Sequence, residues 1–342
     1  MQIVRGIFSP LPRLASHVAT IGAFDGVHRG HQAILADTVE WARHVGGHAV
    51  AVTFDPLPKS VVGPRDVLCI TSLRHRLALL ERAGIDVAVV LQFDAALADM
   101  SPDDFVHRVL LDWLATDRIV LGYDASFGRG GAGNLAYLRS LEAQGLLEVR
   151  SPAPVLYAKV SATSPRESPK ISSATLGISE DFLGDFGKII SSTAIRRAIA
   201  RGDLDTAAAM LGRPFSLLGT VVQGHLVGRS LGFPTANLDL HHEAFPPRGI
   251  YAAYSDIDGQ RYPALTYIGT RPTFSWPPES PVVEVHLVGL DTDLYGRDIE
   301  VHFIQKLRDE MRFPSADSLI AQMKSDREAA LAAYARLSAS PS

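Results

Sequence analysis

The chain has 342 residues, 46% hydrophobic and 20% charged, the balance of a globular protein long enough for two separate cores. Its net charge of −4 offers no basic footprint for nucleic acid, and its one cysteine, Cys69, excludes disulfides and cysteine-held metal. No apolar run reaches membrane-spanning length and the residues after Met1 lack a signal-peptide core, so a cytoplasmic protein with no membrane partner is expected; homo-oligomer formation is left open.

The first half alternates strand and helix signals. Apolar runs at residues 18–21, 49–54, 87–91, 119–121 and 146–149 predict strands. Amphipathic stretches at residues 32–44, 73–83, 103–114 and 135–143 predict helices between them. Strands that are apolar throughout, linked by helices, point to a parallel doubly wound sheet, whose ligands sit beyond the carboxyl ends of the strands. Residues 22–31 follow the first run and read Ile21-Gly22-Ala23-Phe24-Asp25-Gly26-Val27-His28-Arg29-Gly30-His31 with their leading isoleucine. A strand, a glycine turn and a helix start make an anion site of backbone N–H groups, and two imidazoles add donors for a triphosphate. Asp55-Pro56 and Gly122-Tyr123-Asp124 fall at the ends of two other strands, on the same working edge.

Residues 161–187 are rich in Ser, Pro and Gly and read as a long loop or insertion. Across it, Lys170-Ile171-Ser172-Ser173-Ala174-Thr175 is nearly repeated by Lys188-Ile189-Ile190-Ser191-Ser192-Thr193, and only the second copy continues into a helical pattern. Ser191, Ser192 and Thr193 there are either a plain helix cap or hydroxyl donors to a phosphate that Arg196 also meets.

At about residue 212 the pattern changes. Residues 217–222, 250–254, 262–268, 282–287 and 299–304 predict strands without helices between them, and Asp258-Gly259 marks a hairpin, so a mostly β antiparallel barrel is expected. A helix over residues 315–337, with Leu319, Ile320 and Met323 on one face, closes the chain. Within this half Gly224, Gly228, Arg229 and Gly232 form a second phosphate-type loop, without the Gly-Lys-Ser/Thr of a P-loop. Thr235 and Asn237 offer two neutral oxygens suited to Mg2+ that keeps water and nucleotide phosphate as its other ligands. Glu284, inside an apolar strand with His286 on its face, is either a solvent-facing carboxylate or a general base for phosphoryl transfer.

In order along the chain, residues 22–31, 53–56, 190–196, 211–214, 228–237, 268–274, 293–296 and 307–310 resemble the bacterial bifunctional riboflavin kinases/FMN adenylyltransferases (FAD synthetases). The resemblance covers nearly the whole chain except about 161–187. It implies an α/β Rossmann-like nucleotidyltransferase domain at 1–205 and a riboflavin kinase domain at 212–337, a six-stranded barrel with a C-terminal helix. It implies phosphorylation of riboflavin to FMN and adenylylation of FMN to FAD plus pyrophosphate, with ATP as co-substrate and Mg2+ as cofactor. By matched position, Gly22, Phe24, Asp25, Gly26, His28, His31, Ser191, Ser192, Thr193 and Arg196 would bind the first ATP. Asp124, Phe127 and Asn134 would lie on the flavin side. Gly224, Gly228, Arg229, Gly232, Thr235 and Asn237 would serve the kinase nucleotide, Glu284 would activate the ribityl hydroxyl, and Arg308 would lie nearby. Three positions depart from the pattern: Leu57 where the family usually has His, Ala125 in an aromatic-rich turn, and Tyr267 where Asn is frequent. Leu57 and Ala125 motivate a second reading, a riboflavin kinase with a weak or inactive first module; a third is a non-catalytic flavin or nucleotide sensor, against which Glu284, Thr235 and Asn237 count.

Overall fold

The computed structural model describes residues 1–9, 16–62, 68–157, 189–223, 233–240, 243–270 and 281–339. The insertion at 161–187, the first copy of the repeat, and Gly224, Gly228, Arg229 and Gly232 lie outside the described residues. The chain divides into two units, Met1–Cys69 with Leu73–Ser192 and Ile70–Ser72 with Thr193–Ser342. The helices Ser192–Arg201 and Leu204–Leu211 thus group with the second unit beyond Ser192, whereas the sequence reading placed residues to 205 in the first.

The first unit is built on six parallel strands: β1 Gln2–Arg5, β2 His17–Ile21, β3 His48–Phe54, β4 Val87–Leu91, β5 Arg118–Val120 and β6 Glu148–Arg150. Their order across the sheet is β1-β4-β3-β2-β5-β6. Successive residues of one strand feed opposite cores. Ala19, Ile21, Val50 and Val52 pack with Phe105, Val109, Leu110 and Leu138 on one face. Val18, Ala49 and Ala51 pack with Leu35, Val39, Trp41 and Leu80 on the other. Burial on both faces is why these strands read as unbroken apolar runs. β1 escaped the sequence reading because only Val4 of its four residues is buried, as suits an edge strand. The stretch expected as a helix over 103–114 is a short turn, Pro102–Asp104, and then a π-type helix, Phe105–Trp113, in which Leu114 N–H reaches back five residues to the Val109 carbonyl at 2.9 Å.

From β2 the sheet grows through β3 and β4 in one direction and through β5 and β6 in the other. The crevice between the ends of β2 and β5 is therefore the topological switch point, where a parallel sheet leaves room for a ligand. Residues 22–28 leave β2 at that crevice.

The second unit is a closed antiparallel barrel, ordered β10-β11-β8-β7-β12-β9. Its strands are β7 Ser216–Val222, β8 Ala236–Leu240, β9 Gly249–Ile257, β10 Gln260–Thr270, β11 Pro281–Leu287 and β12 Asp298–Arg308. Asp258 and Gly259 join β9 to β10 with φ of +52° and +81°, both positive as a type I′ hairpin turn requires. The terminal helix, Ala316–Ala339, buries Ala330 and Ala333 against Ala252 and Leu265, so its core face is lined by small residues. Leu319, Ile320 and Met323, expected as that face, are only partly buried. No helix among the described residues is long and apolar enough to cross a membrane.

Candidate active sites

In the first unit the helix begins at Arg29 and not at Gln32, and its cap is His28 itself. The His31 N–H donates to His28 Nδ1 at 3.3 Å, and Gln32 N–H donates to the His28 carbonyl at 2.8 Å. Because Nδ1 is the acceptor, neutral His28 carries its proton on Nε2. The two imidazoles stack, ring centroids 3.6 Å apart and 15° from parallel, and Phe24 meets His31 edge-on at 5.4 Å. Gly30 makes the stack possible, since a Cβ there would stand 3.2 Å from the His28 ring. Burial, then the charges of His28 and Arg76, hold His31 well below the usual imidazole range, so it is neutral at pH 7. Its Nδ1 is buried without a hydrogen-bond partner.

The loop before this cap is fixed from below. Phe24, Gly26 and Val27 have positive φ of 48°, 82° and 39°, a strain that two buried apolar anchors, Phe24 and Val27, hold in place. Gly22 gives the Phe24 ring its room, for a Cβ at Gly22 would lie 3.0 Å from it. Asp25 is buried, and its carbonyl accepts from Ser192 Oγ at 3.0 Å. Arg76 is the feature the sequence reading missed. It is 1% exposed, and its Nη1 donates to the Ala23 carbonyl at 2.8 Å and its Nη2 to the Phe54 carbonyl at 2.9 Å. It ties the end of β2 to the end of β3 and places a fixed positive charge beneath the loop. Its only sequence signal was a cation on the core side of an amphipathic helix, next to His75.

The remaining first-unit residues take different places. Ser191 precedes the helix Ser192–Arg201, Thr193 is exposed at its start, and Arg196 is half-buried one turn on. Asp124 is exposed just beyond β5, beside Tyr123. Phe127 is instead a core residue, 5.3 Å from the Phe105 ring, folded over Gly133 where a Cβ would stand 2.5 Å from it. Asn134 caps the helix Leu135–Ala143 by accepting from Tyr137 N–H at 3.0 Å. Leu57, the departure from the family's histidine, is buried.

In the barrel unit, three adjacent strands bring three polar residues into one row. Asn237 of β8 lies opposite Glu284 of β11, and Glu284 lies opposite Tyr267 of β10. Directly opposed residues share a face, so all three rise from the same wall. Glu284 is half-buried and lines a cavity of about 300 Å³ together with Thr235, Tyr267, His286, Arg308 and Asp326. A second cavity, about 340 Å³, runs from Thr235 and Pro234 to Asp291, Asp293 and Tyr295. Thr235 lines both. His286 is held by Pro234, whose carbonyl lies 2.8 Å from its Nδ1, and burial lowers its pKa. Arg308 is committed to Asp326, with Nε 3.0 Å and Nη2 2.7 Å from the carboxylate, and so locks β12 to the terminal helix at the cavity wall. Among the described residues no three His, Cys, Asp or Glu side chains converge on a metal position. Oxygens of Asn237 and Glu284 in the row and of Thr235 just before β8 are of the kind that fits Mg2+ shared with nucleotide phosphate.

The chain is thus a two-module protein: a parallel-sheet unit with a histidine-capped loop at its switch point, then a barrel with a carboxylate set in a cavity wall. Residues 12–166 match the family model for FAD synthetase, and residues 211–334 match that for riboflavin kinase. A bifunctional riboflavin kinase/FMN adenylyltransferase of Pseudomonas fluorescens is 36% identical over 97% of this chain and 97% of its own length. That of Haemophilus influenzae is 32% identical over 98% and 99%, and that of Bacillus subtilis 30% identical over 94% and 94%. A crystal structure from Streptococcus pneumoniae, titled a macrolide-efflux protein, aligns over 96% of this chain and 98% of its own with a TM-score of 0.75 and 28% identity. The chain belongs to the family of bifunctional riboflavin kinases/FMN adenylyltransferases.

Proposed function

We propose that the first unit transfers adenylate from ATP to FMN, giving FAD and pyrophosphate, and that the barrel phosphorylates riboflavin to FMN. The observation that carries the reading is that each unit sets its own phosphate or proton-transfer groups at an opening of its own fold: the stacked His28–His31 cap at the switch point, and Glu284 opposite Asn237 in the cavity wall.

In the adenylyltransferase an oxygen of the FMN phosphate attacks the α-phosphorus of ATP, and pyrophosphate leaves. His28 offers its Nε2–H to the phosphates, and neutral His31 adds a donor as negative charge gathers on the departing group. Helix N–H groups and the hydroxyls of Ser191 and Ser192 complete the nucleotide site. Asp124 meets the flavin, Phe127 supports that turn from beneath, and Asn134 fixes the helix that follows.

In the kinase, Glu284 takes the proton of the terminal ribityl hydroxyl as its oxygen attacks the γ-phosphorus, and ADP leaves. Thr235 and Asn237 would hold Mg2+, which would supply neutralisation of charge on the transferring phosphates. Shared lining by Thr235 supports placing the nucleotide in the cavity toward Asp291 and the flavin in the more apolar cavity against the terminal helix. Arg308, bound to Asp326, shapes the flavin side. The reading includes a cytoplasmic site of action and no nucleic-acid partner.

The test is chromatography of the products formed with Mg2+, ATP and either riboflavin or FMN. FMN from riboflavin and FAD from FMN are expected. FMN without FAD would leave only the kinase, and neither product would leave a flavin- or nucleotide-binding protein without catalysis.

A further inference from the structure

The flavin-side cavity holds one polar pair that the phosphoryl transfer leaves unused. Tyr267 stands opposite Glu284, and its hydroxyl donates to Glu310 Oε1 at 2.5 Å. Its ring runs along β10 over Gly269, where a Cβ would stand 2.0 Å from the phenol oxygen and 2.8 Å from Glu310 Oε1. Glycine at 269 is therefore what lets the two groups meet.

The strand register gives the pair a side. Asn237 faces Glu284 and Ala236 faces Val285, and Thr235 precedes β8 beyond that end. Gly269 faces Val282, in the opposite direction along β11. The phenol oxygen thus lies on the side of Glu284 away from Thr235 and its phosphate-type oxygens. The same cavity has an apolar wall of Ile250, Leu265, Met311, Phe313 and Met323.

The chemistry of the pair is also defined. Burial, then Glu310, pushes the Tyr267 hydroxyl up to about 12, so it stays protonated and donates to Glu310. The lone pairs of that phenol oxygen and the second oxygen of Glu310 are then acceptors. Two acceptors beside an apolar wall suit a neutral ligand with hydroxyl donors at one end and a flat apolar body at the other.

We propose that Tyr267 and Glu310 are a positioning pair that reads the hydroxyl chain of the flavin beyond its reacting terminal hydroxyl. The proposal rests on the assignment of this cavity to riboflavin. The test uses the full-length protein, with riboflavin kinetics set beside inhibition by lumiflavin, the same ring without the hydroxyl chain. Tyr267→Phe removes one oxygen and no packing volume. It is expected to raise the KM for riboflavin by about three- to ten-fold, the loss of one hydrogen bond, with the effect in KM and not in kcat. The KM for ATP and the inhibition constant of lumiflavin stay at the parent values. An unchanged KM for riboflavin would overturn the proposal, as would a lumiflavin constant that rises in parallel, because the pair would then hold the ring or only the wall. Glu284→Gln separates the two levels: if it phosphorylates riboflavin at the parent rate, the cavity assignment fails and the proposal with it. If Glu284→Gln is inactive and Tyr267→Phe is silent, the positioning pair alone fails.

Discussion

Arg76 is the buried group on which the adenylyltransferase loop most depends. In Arg76→Met two hydrogen bonds from a charged donor are lost, at 2.8 and 2.9 Å, and the Ala23 and Phe54 carbonyls lose that partner. Each such bond contributes about 1.5–3 kcal/mol. Two effects offset the loss. Burial lowers the Arg76 pKa, so removing the charge recovers desolvation energy, and Thr53 Oγ1 still donates to the Ala23 carbonyl at 3.2 Å. The net destabilisation is about 2–4 kcal/mol, confined to the first unit. Differential scanning calorimetry is the assay, because a chain of two units need not unfold in one transition. A lower first-unit transition is expected, with FAD formation impaired through a raised KM for ATP and riboflavin phosphorylation at the parent rate. Arg76→Lys falls between the two, since one ammonium cannot span both carbonyls as a planar fork does. If Arg76→Met keeps both the transition and FAD formation, the loop does not hang on this residue and the reasoning fails.

Glu284→Gln is expected to lower FMN formation by about 10²–10⁴-fold while FAD formation from supplied FMN continues, read by the same product chromatography. His31 gives a pH dependence. Its folded pKa lies below the ordinary 6.5, so in the interval between them the unfolded chain binds a proton that the folded chain refuses. That contribution to stability is complete above about pH 6.5 and is lost as pH falls below it. The first-unit melting temperature should therefore drop from pH 7 to pH 5 more steeply in the parent than in His31→Gln, and equal slopes would refute it. Gly249→Ala strikes backbone, for at φ of +147° its Cβ would stand 2.5 Å from the Arg308 carbonyl. No rotamer relieves that clash, so the barrel should lose about 1–3 kcal/mol in denaturant unfolding and riboflavin phosphorylation should fall.

The parallel sheet was legible because burial on both faces writes continuous apolar runs, as in β3 and β4, and the amphipathic stretches between them fixed its class. What escaped had a physical reason in each case. β1 buries one residue of four, and Asn237 and Asp239 interrupt the apolar residues of β8, so neither carries an apolar run. The terminal helix was found, but its packing face was misread, because close approach to β9 and β10 selects Ala330 and Ala333 over the larger Leu319 and Met323. The two larger residues line the cavity instead.

The sites divide along the same line. Groups whose position follows from local geometry were placed by sequence: the histidines at a helix start, and Glu284 within a strand. Groups whose position depends on residues far along the chain were not. Arg76 reaches back 53 residues to Ala23, and Tyr267 reaches 43 residues forward to Glu310. Phe127, expected on the flavin side, packs into the core with Gly133 beneath its ring. The glycine turn draws the eye, but Gly26 shares its positive φ with Phe24 and Val27, and side chains, not glycines alone, hold that backbone. The anion loop is therefore only as well placed as the buried cation and the two apolar anchors beneath it. For that reason its chemistry should prove sensitive to Arg76, which touches the loop from behind.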